Sequence, residues 1–209
     1  NECIVESLID IEKEIAVIVA RNPSGQMVVY PTVEMHFHPV ANLVEYLFSP
    51  STLSSDQQLD VSDLATSVAE KLDVIGLLAV EMFVDKTGKI LLNEVAPRPH
   101  NSGHHTIEAC LTSQFEMHLR AILDLPLAGT QQILPAVMIN LLGEEGFSGD
   151  AIYTDLDAFL AIAGVNIHIY GKEKTKPFRK MGHVTIVDST VDQAVEKALM
   201  IKSKLKVIA

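Results

Sequence analysis

Cysteine is nearly absent from these 209 residues: Cys3 and Cys110 are the only two, and no short spacing links them. Two such thiols make neither a disulfide framework nor a cysteine-based zinc site, and they read as reduced thiols of a cytoplasmic protein. Positive charge is also scarce. Sixteen Lys and Arg stand against 27 Asp and Glu, a net charge of −11, which removes the basic footprint that general nucleic-acid binding needs. No apolar run reaches the ~18 residues of a membrane span. No signal-peptide pattern opens the sequence, and there is no internal repeat or low-complexity tract. What is present is a large apolar fraction, 48%, too high for a disordered chain and enough to fill a sizeable core. The sequence opens on Asn1 and already reads as mid-strand, which predicts a fragment lacking an N-terminal portion.

The most informative pattern is a hairpin with a charge conflict. Leu77–Asp85 and Lys89–Pro97 are apolar strands around the turn Lys86-Thr87-Gly88-Lys89, with Gly where a positive φ is expected. A symmetric turn pairs Lys86 with Lys89 and sets Glu81 directly opposite Glu94. Opposed side chains lie roughly 4.5–5.5 Å apart at Cβ, where like charges destabilise a sheet. Such a pair needs a shared proton or a cation, and Mg²⁺ accepts carboxylate oxygens of this kind. A register off by one would instead leave one glutamate merely solvated.

Around the hairpin the pattern is mixed. Glu14–Ala20 and Gln26–Tyr30 form a first hairpin about Asn22-Pro23-Ser24-Gly25. Residues 31–50 read as irregular, with His36, His38 and Tyr46. A helix capped by Ser55 or Asp56 runs to about Leu72, with Leu59, Leu64, Val68 and Leu72 on one face. A second starts at Thr112 and carries Phe115, Leu119, Ile122 and Leu123 until Pro126 stops it. Beyond the boundary at 125–135 come strands at 136–142, 165–170 and 180–187, a short helix near 156–163 and a last helix from Ser189 or Thr190, carrying Val191, Val195, Leu199 and Ile201. Hairpins mixed with helices predict an α+β fold, not a doubly wound sheet. The domains are 1–127 and 128–209.

Two further segments carry chemistry. The loop after Glu94 holds Arg98, His100, Asn101, Ser102, His104, His105 and Thr106. Arg98 can fork onto an oxyanion, with Asn101 and Ser102 adding donors. The alternatives are a plain turn, punctuated by Pro97, Pro99 and Gly103, or zinc on His100, His104 and His105. The second segment packs Lys172, Lys174, Lys176, Arg179 and Lys180 into nine residues with one acid, Glu173. It suits a phosphate monoester, or else is a solvated turn. Glu2, Glu6 and Glu14 carry little by themselves.

The run Asn93-Glu94-Val95-Ala96-Pro97-Arg98-Pro99-His100-Asn101-Ser102-Gly103-His104 resembles the signature of the 5-(carboxyamino)imidazole ribonucleotide synthases, the ATPase subunits of phosphoribosylaminoimidazole carboxylase. The segments 106–110, 113–116, 118–121, 136–141 and Arg179-Lys180-Met181-Gly182-His183 continue the match over nearly the whole chain. The resemblance implies the larger lobe of an ATP-grasp domain, an antiparallel sheet with helices, followed by a small C-terminal α/β domain. It implies that the N-terminal domain and the lysines for the nucleotide phosphates are missing, so that the fragment alone does not turn over. The implied reaction belongs to purine biosynthesis. Bicarbonate attacks the γ-phosphate of ATP, and the resulting carboxyphosphate carboxylates 5-aminoimidazole ribonucleotide, with Mg²⁺ offsetting phosphate charge.

The carried-over roles are these. Glu6, Ser7, Leu8 and Ile9, with Val5, match the hinge against adenine, and Glu14 the acid at the ribose. Asn93 and Glu94 meet the phosphates, and Glu81 and Glu94 hold the metal. Arg98, His100 and Asn101 face bicarbonate and the aminoimidazole. Lys172, Arg179 and Lys180 hold the 5′-phosphate. A further metal-ligand Asn common in ATP-grasp enzymes is Ala96 here, and a nucleotide-contacting His falls on Phe37, between His36 and His38, and is not assigned. The family tends to dimerise. Other readings are a different ATP-grasp carboxylase, a formate-using purine enzyme, or a non-catalytic module that binds a partner or zinc.

Overall fold

The computed structural model describes residues 3–37 and 44–209, so Glu2 and His38 lie outside it. In chain order the strands are β1 (Ile11–Arg21), β2 (Met27–Val29), β3 (Val33–Phe37), β4 (Val44–Ser49), β5 (Gly76–Asp85), β6 (Ile90–Ala96), β7 (Ala136–Leu142), β8 (Gly149–Asp150), β9 (Ile152–Tyr153), β10 (Val165–Ile169), β11 (Lys174–Thr175), β12 (Lys180–Val187) and β13 (Val207–Ile208). The helices are α1 (Ser55–Lys71), α2 (Thr106–Ala109), α3 (Gln114–Ile122), α4 (Leu156–Leu160) and α5 (Val191–Lys204), with a 3₁₀ turn at Asn101–Gly103. No described helix is long and apolar enough to cross a membrane.

One sheet runs through both halves of the chain, in the order β10-β12-β7-β4-β3-β1-β5-β6, with β2 on β1. Its pairings are antiparallel, as an α+β fold of hairpins requires. Alternation sorts the side chains into two faces. Ile15, Val17, Val19, Leu78, Val80 and Met82 pack on Val61, Ala65 and Ala69 of α1. Ile18, Ala20, Leu77 and Ala79 pack the other way, on Met117 and Ala121 of α3. At the far end Val137, Ile139, Val184 and Ile186 pack on Ala194, Ala198 and Ile201 of α5.

Several expectations are corrected. Residues 33–37 and 44–49 are strands rather than irregular chain. Their polar residues are satisfied locally, which hid the alternation: Glu34 accepts from Thr52 N (3.1 Å) and Oγ1 (2.6 Å), and the His36 ring stacks on Tyr46 at 4.7 Å. The cap of α1 is Ser54, in a reciprocal box with Gln57, and its buried face is Val61, Ala65 and Ala69. Of the expected stripe, Leu64 and Val68 pack partly buried against this core, and Leu59 and Leu72 are solvent-exposed. The stripe assigned to α3 is the outer one. Gln114, Met117 and Ala121 are buried, whereas Phe115, Leu119, Ile122 and Leu123 face out. In α1 the small residues Ala65 and Ala69 face the sheet and let the backbones approach, whereas in α3 Gln114 and Met117 fill the buried face with Ala121. In α5 Ile201 is buried and Val191 and Val195 pack partly buried on the core as expected, Ala194 and Ala198 complete the face, and only Leu199 is exposed.

A carboxylate face and the loop that crosses it

Glu81 does stand opposite Glu94, but not through a symmetric Lys86–Lys89 turn. The turn is tighter. Asp85 N donates to Lys89 O (3.0 Å) around the three-residue loop Lys86-Thr87-Gly88, with Gly88 at φ +84° in the arrangement a three-residue hairpin favours. That pairs Val84 with Ile90 and Met82 with Leu92, one step out of the expected register. An extra residue, Asn93, then bulges from β6 and restores Glu81 to Glu94. Bulges of this kind re-aim side chains beside functional sites.

Glu14 joins the pair on the same face, because it lies opposite Phe83, two residues from Glu81. Burial raises the Glu81 pKa, the charges of Glu94 and Glu14 raise it further, and Lys180 and Arg98 lower it. Burial also raises Glu14. Desolvated carboxylates in mutual repulsion form a donor set that suits a hard cation. Among the described residues no group of three His, Cys, Asp or Glu is arranged around one metal position, so protein ligation would rest on the Glu81–Glu94 pair.

From the edge strand β6 the chain turns back across this face. His100 Nε2 lies 3.4 Å from Glu81 Oε1. Its Nδ1 accepts from Ser102 N (3.3 Å) and lies 2.9 Å from Ser102 Oγ, which leaves the proton on Nε2, facing the carboxylate. Burial first, then Arg98 and Lys180, push the His100 pKa down to about 4, so the ring is neutral at pH 7. Asn101 opens the 3₁₀ turn, and its carbonyl accepts from His104 N (3.2 Å). Asn93, Glu94 and Arg98 are exposed toward solvent.

The loop ends on the C-terminal strands. His104 stacks on His183 (4.5 Å between ring centres), His183 on His168 (4.4 Å), and Phe115 closes the other side of His104 (5.8 Å). Tyr170 Oη lies 3.0 Å from His183 Nδ1, and His168 Nε2 lies 2.7 Å from Glu108 Oε1. Burial holds His104 near 4 and His183 near 3. His105 is fully buried, with Nδ1 3.0 Å from Ser102 O and a pKa near 4. The three loop histidines thus turn to three different neighbourhoods, which removes the basis for a shared zinc.

The basic turn is brought in partly. Lys180 lies close enough to Arg98 and Glu81 for each to shift its pKa; desolvation, the largest cause, lowers it. Lys172 donates to Lys180 O (2.5 Å) and sits 5.5 Å over the Tyr170 ring. The Arg179 guanidinium donates to Lys174 O (2.6 Å), within its own turn. Glu6, Ser7, Leu8 and Ile9 form an open, largely exposed segment leading into β1. A cavity of about 620 Å³ lies elsewhere, between β4, β7 and α5, lined by Glu45, Asn140, Phe178, Lys202 and Lys206; it contains none of the site carboxylates. Sequence reasoning missed Gln114, Glu108, His168 and Tyr170. The signal for the last two was the alternation Asn166, His168, Tyr170 against Val165, Ile167, Ile169, which marks one polar strand face.

Comparison with known proteins places the chain's sequence and fold in a family. The ATP-grasp domain model matches residues 1–115, and that of the phosphoribosylaminoimidazole carboxylase C-terminal domain matches 136–197. The N5-carboxyaminoimidazole ribonucleotide synthase of Bacillus subtilis is 40% identical over 195 residues, 93% of this chain and 49% of that protein. The crystal structure of N5-carboxyaminoimidazole ribonucleotide synthetase from Thermotoga maritima superposes with a TM-score of 0.92 at 50% identity, covering 98% of this chain and 54% of that one. The Aspergillus clavatus N5-carboxyaminoimidazole synthase, in complex with ADP and 5-aminoimidazole ribonucleotide, gives 0.81 at 34% identity, over 94% and 53%. The chain spans about half the length of these relatives.

Proposed function

The chain belongs to the ATP-grasp family, on the branch with the phosphoribosylaminoimidazole carboxylase C-terminal domain, and on that premise we propose that it supplies the large lobe and C-terminal domain, 1–127 and 128–209, of an enzyme that carboxylates 5-aminoimidazole ribonucleotide with bicarbonate and ATP. The observation that carries this reading is the opposition of Glu81 and Glu94 on a face that also collects Arg98, His100 and Lys180. Acids for a metal-bound nucleotide and cations for anions meet there within electrostatic reach.

In this reading Glu81 and Glu94 hold Mg²⁺, which when bound offsets the charge of the ATP phosphates during transfer. Asn93 adds a donor beside the phosphates. Glu14 takes the ribose hydroxyls, and the open segment Glu6–Ile9 meets adenine through its backbone. Arg98 clamps bicarbonate and then carboxyphosphate. Neutral His100, with Nε2–H held toward Glu81, orients the acyl phosphate and the aminoimidazole with Asn101. Lys172, Lys180 and Arg179 bind the ribonucleotide 5′-phosphate. In this reading the enzyme of this chain works in the cytoplasm. The direct test is ATP hydrolysis by the complete gene product with bicarbonate, with and without 5-aminoimidazole ribonucleotide. Hydrolysis stimulated by another acceptor, or by formate, replaces this substrate assignment.

The phosphate role of the basic turn makes a separate claim. Losing one charge-assisted bond to the phosphate costs about 1.5 kcal/mol, roughly tenfold in affinity. Lys172→Ala and Arg179→Ala therefore raise KM for the ribonucleotide about tenfold and leave KM for ATP within about twofold. Equal effects on both substrates place the turn's function elsewhere. Both side chains must leave a backbone carbonyl to take part, Lys172 that of Lys180 and Arg179 that of Lys174, so the two effects are of similar size.

The exposed apolar face of α3, with Phe115, Leu119 and Leu123 beside Leu111, supports a homodimer, since such stripes mark association surfaces. Leu119→Arg then converts a dimer to a monomer in sedimentation; an unchanged mass assigns that face another role.

A further inference from the structure

We infer that Gln114 is a positioning residue, whose side-chain amide clamps the loop that carries His100. Its Oε1 accepts from His100 N at 2.8 Å and its Nε2 donates to His100 O at 2.8 Å, so one amide satisfies both backbone groups of a single loop residue. The same Nε2 lies 3.1 Å from His104 Nδ1. Gln114 thus ties the residue facing Glu81 to the residue stacked on His183. This is a strand-like pairing made by a side chain, in a loop that has no strand neighbour.

The clamp is itself fixed from behind. Gln114 is 0% exposed. Its own N donates to Thr106 Oγ1 (2.8 Å), and that hydroxyl donates to Gly103 O (2.6 Å). Gly103 opens the slot: a Cβ there would lie 2.6 Å from Gln114 Oε1 and 2.3 Å from Ile18 Cδ1. Buried and with both polar atoms engaged, the amide reaches no substrate. It acts through the loop backbone: His100 O keeps a second donor in Gly103 N (3.0 Å), but the partly buried His100 N–H left without the amide would cost free energy.

The inference rests on the reading of this face as a catalytic one, and its test has an arm that does not. In Gln114→Met the clamp is lost at similar volume. Native-state hydrogen exchange of the His100 amide should quicken at least about a hundredfold, while amides of β1, β5 and α1 exchange as before. In the complete gene product kcat for bicarbonate-dependent ATP hydrolysis should fall at least about tenfold, as expected for misplacing a reacting group by a fraction of an ångström, with KM for ATP within about twofold. If Gln114→Met does not fold, Thr106→Val removes the hydroxyl that accepts from Gln114 N and so loosens the clamp from behind, and the same two changes are expected at smaller size. Unchanged exchange at His100, faster exchange spread over the whole sheet, or an undiminished kcat with His100 released overturns the clamp. A wild-type protein inactive with bicarbonate overturns the catalytic reading instead, and the exchange result still decides the clamp.

Discussion

Glu94→Gln should lower bicarbonate-dependent ATP hydrolysis of the complete gene product about a hundredfold or more, with no loss of stability. The two halves of this expectation come from one geometry. Glu94 sits exposed on the edge strand and faces Glu81 across a ladder pair. Burial already pushes Glu81 up, and Glu94 and Glu14 push it further. Without a cation the pair is a repulsion, so neutralising one member relieves it by a few tenths of a kcal/mol. With magnesium and nucleotide present, the same change removes one of two protein ligands. A hundredfold is about 2.7 kcal/mol, within the several kcal/mol of charge stabilisation that a bound metal supplies. Steady-state hydrolysis and thermal melting of the same preparation separate the two effects. Full activity in the variant ends the metal assignment, and a large drop in melting temperature would mean that the pair serves the fold.

Acidification should unfold the chain well before its surface carboxylates titrate. His104, His105 and His183 are packed as neutral rings, held near 4, 4 and 3 principally by burial, against about 6.5 in an unfolded chain. The folded values are depressed, so the unfolded state binds more protons below pH 6.5. The stabilisation is therefore complete above pH 6.5 and is lost as pH falls toward 4. Between pH 7 and pH 5 each ring costs about 1.5–2 kcal/mol, on the order of 5 kcal/mol for three, a large part of an ordinary domain's stability. Glu14 and Glu81 act with the opposite sign: their raised values mean that the folded state takes up protons first, and they return part of the loss. Urea midpoints from pH 7 to 5 measure the sum. His183→Gln should flatten the curve by about one proton, and a flat wild-type curve would show that the rings already charge in the folded state.

The α+β class, the acidic hairpin and the positions of most strands were legible in the sequence, because period-two alternation and Gly or Pro turns are local signals. The opposition of Glu81 and Glu94 was also legible, although two compensating departures produced it: a turn one step tighter, which Gly88 at the third loop position marks, and a bulge at Asn93 with no mark in residue type. Helix faces were misread in part where Ala did the packing. In α1 and α5 the contact residues include Ala65, Ala69, Ala194 and Ala198, and the eye follows Leu59 and Leu199 instead. Strands 33–37 and 44–49 escaped because Glu34 and His36 look like loop residues until their partners are known. Gln114 could not be read at all. Its importance lies in a loop fourteen residues away in sequence, and a buried amide has no pattern of its own.

Because β1 to β7, β10 and β12 share one hydrogen-bonded sheet, with Glu94 on one edge strand and His168 on the other, the three acids of this face and Lys180 ride on a single framework. Their spacing is set when the protein folds and changes little when a ligand arrives. Any opening and shutting during turnover must then be performed by whatever lies over the framework, and a bound ribonucleotide would register as a change in that cover rather than in the floor beneath it.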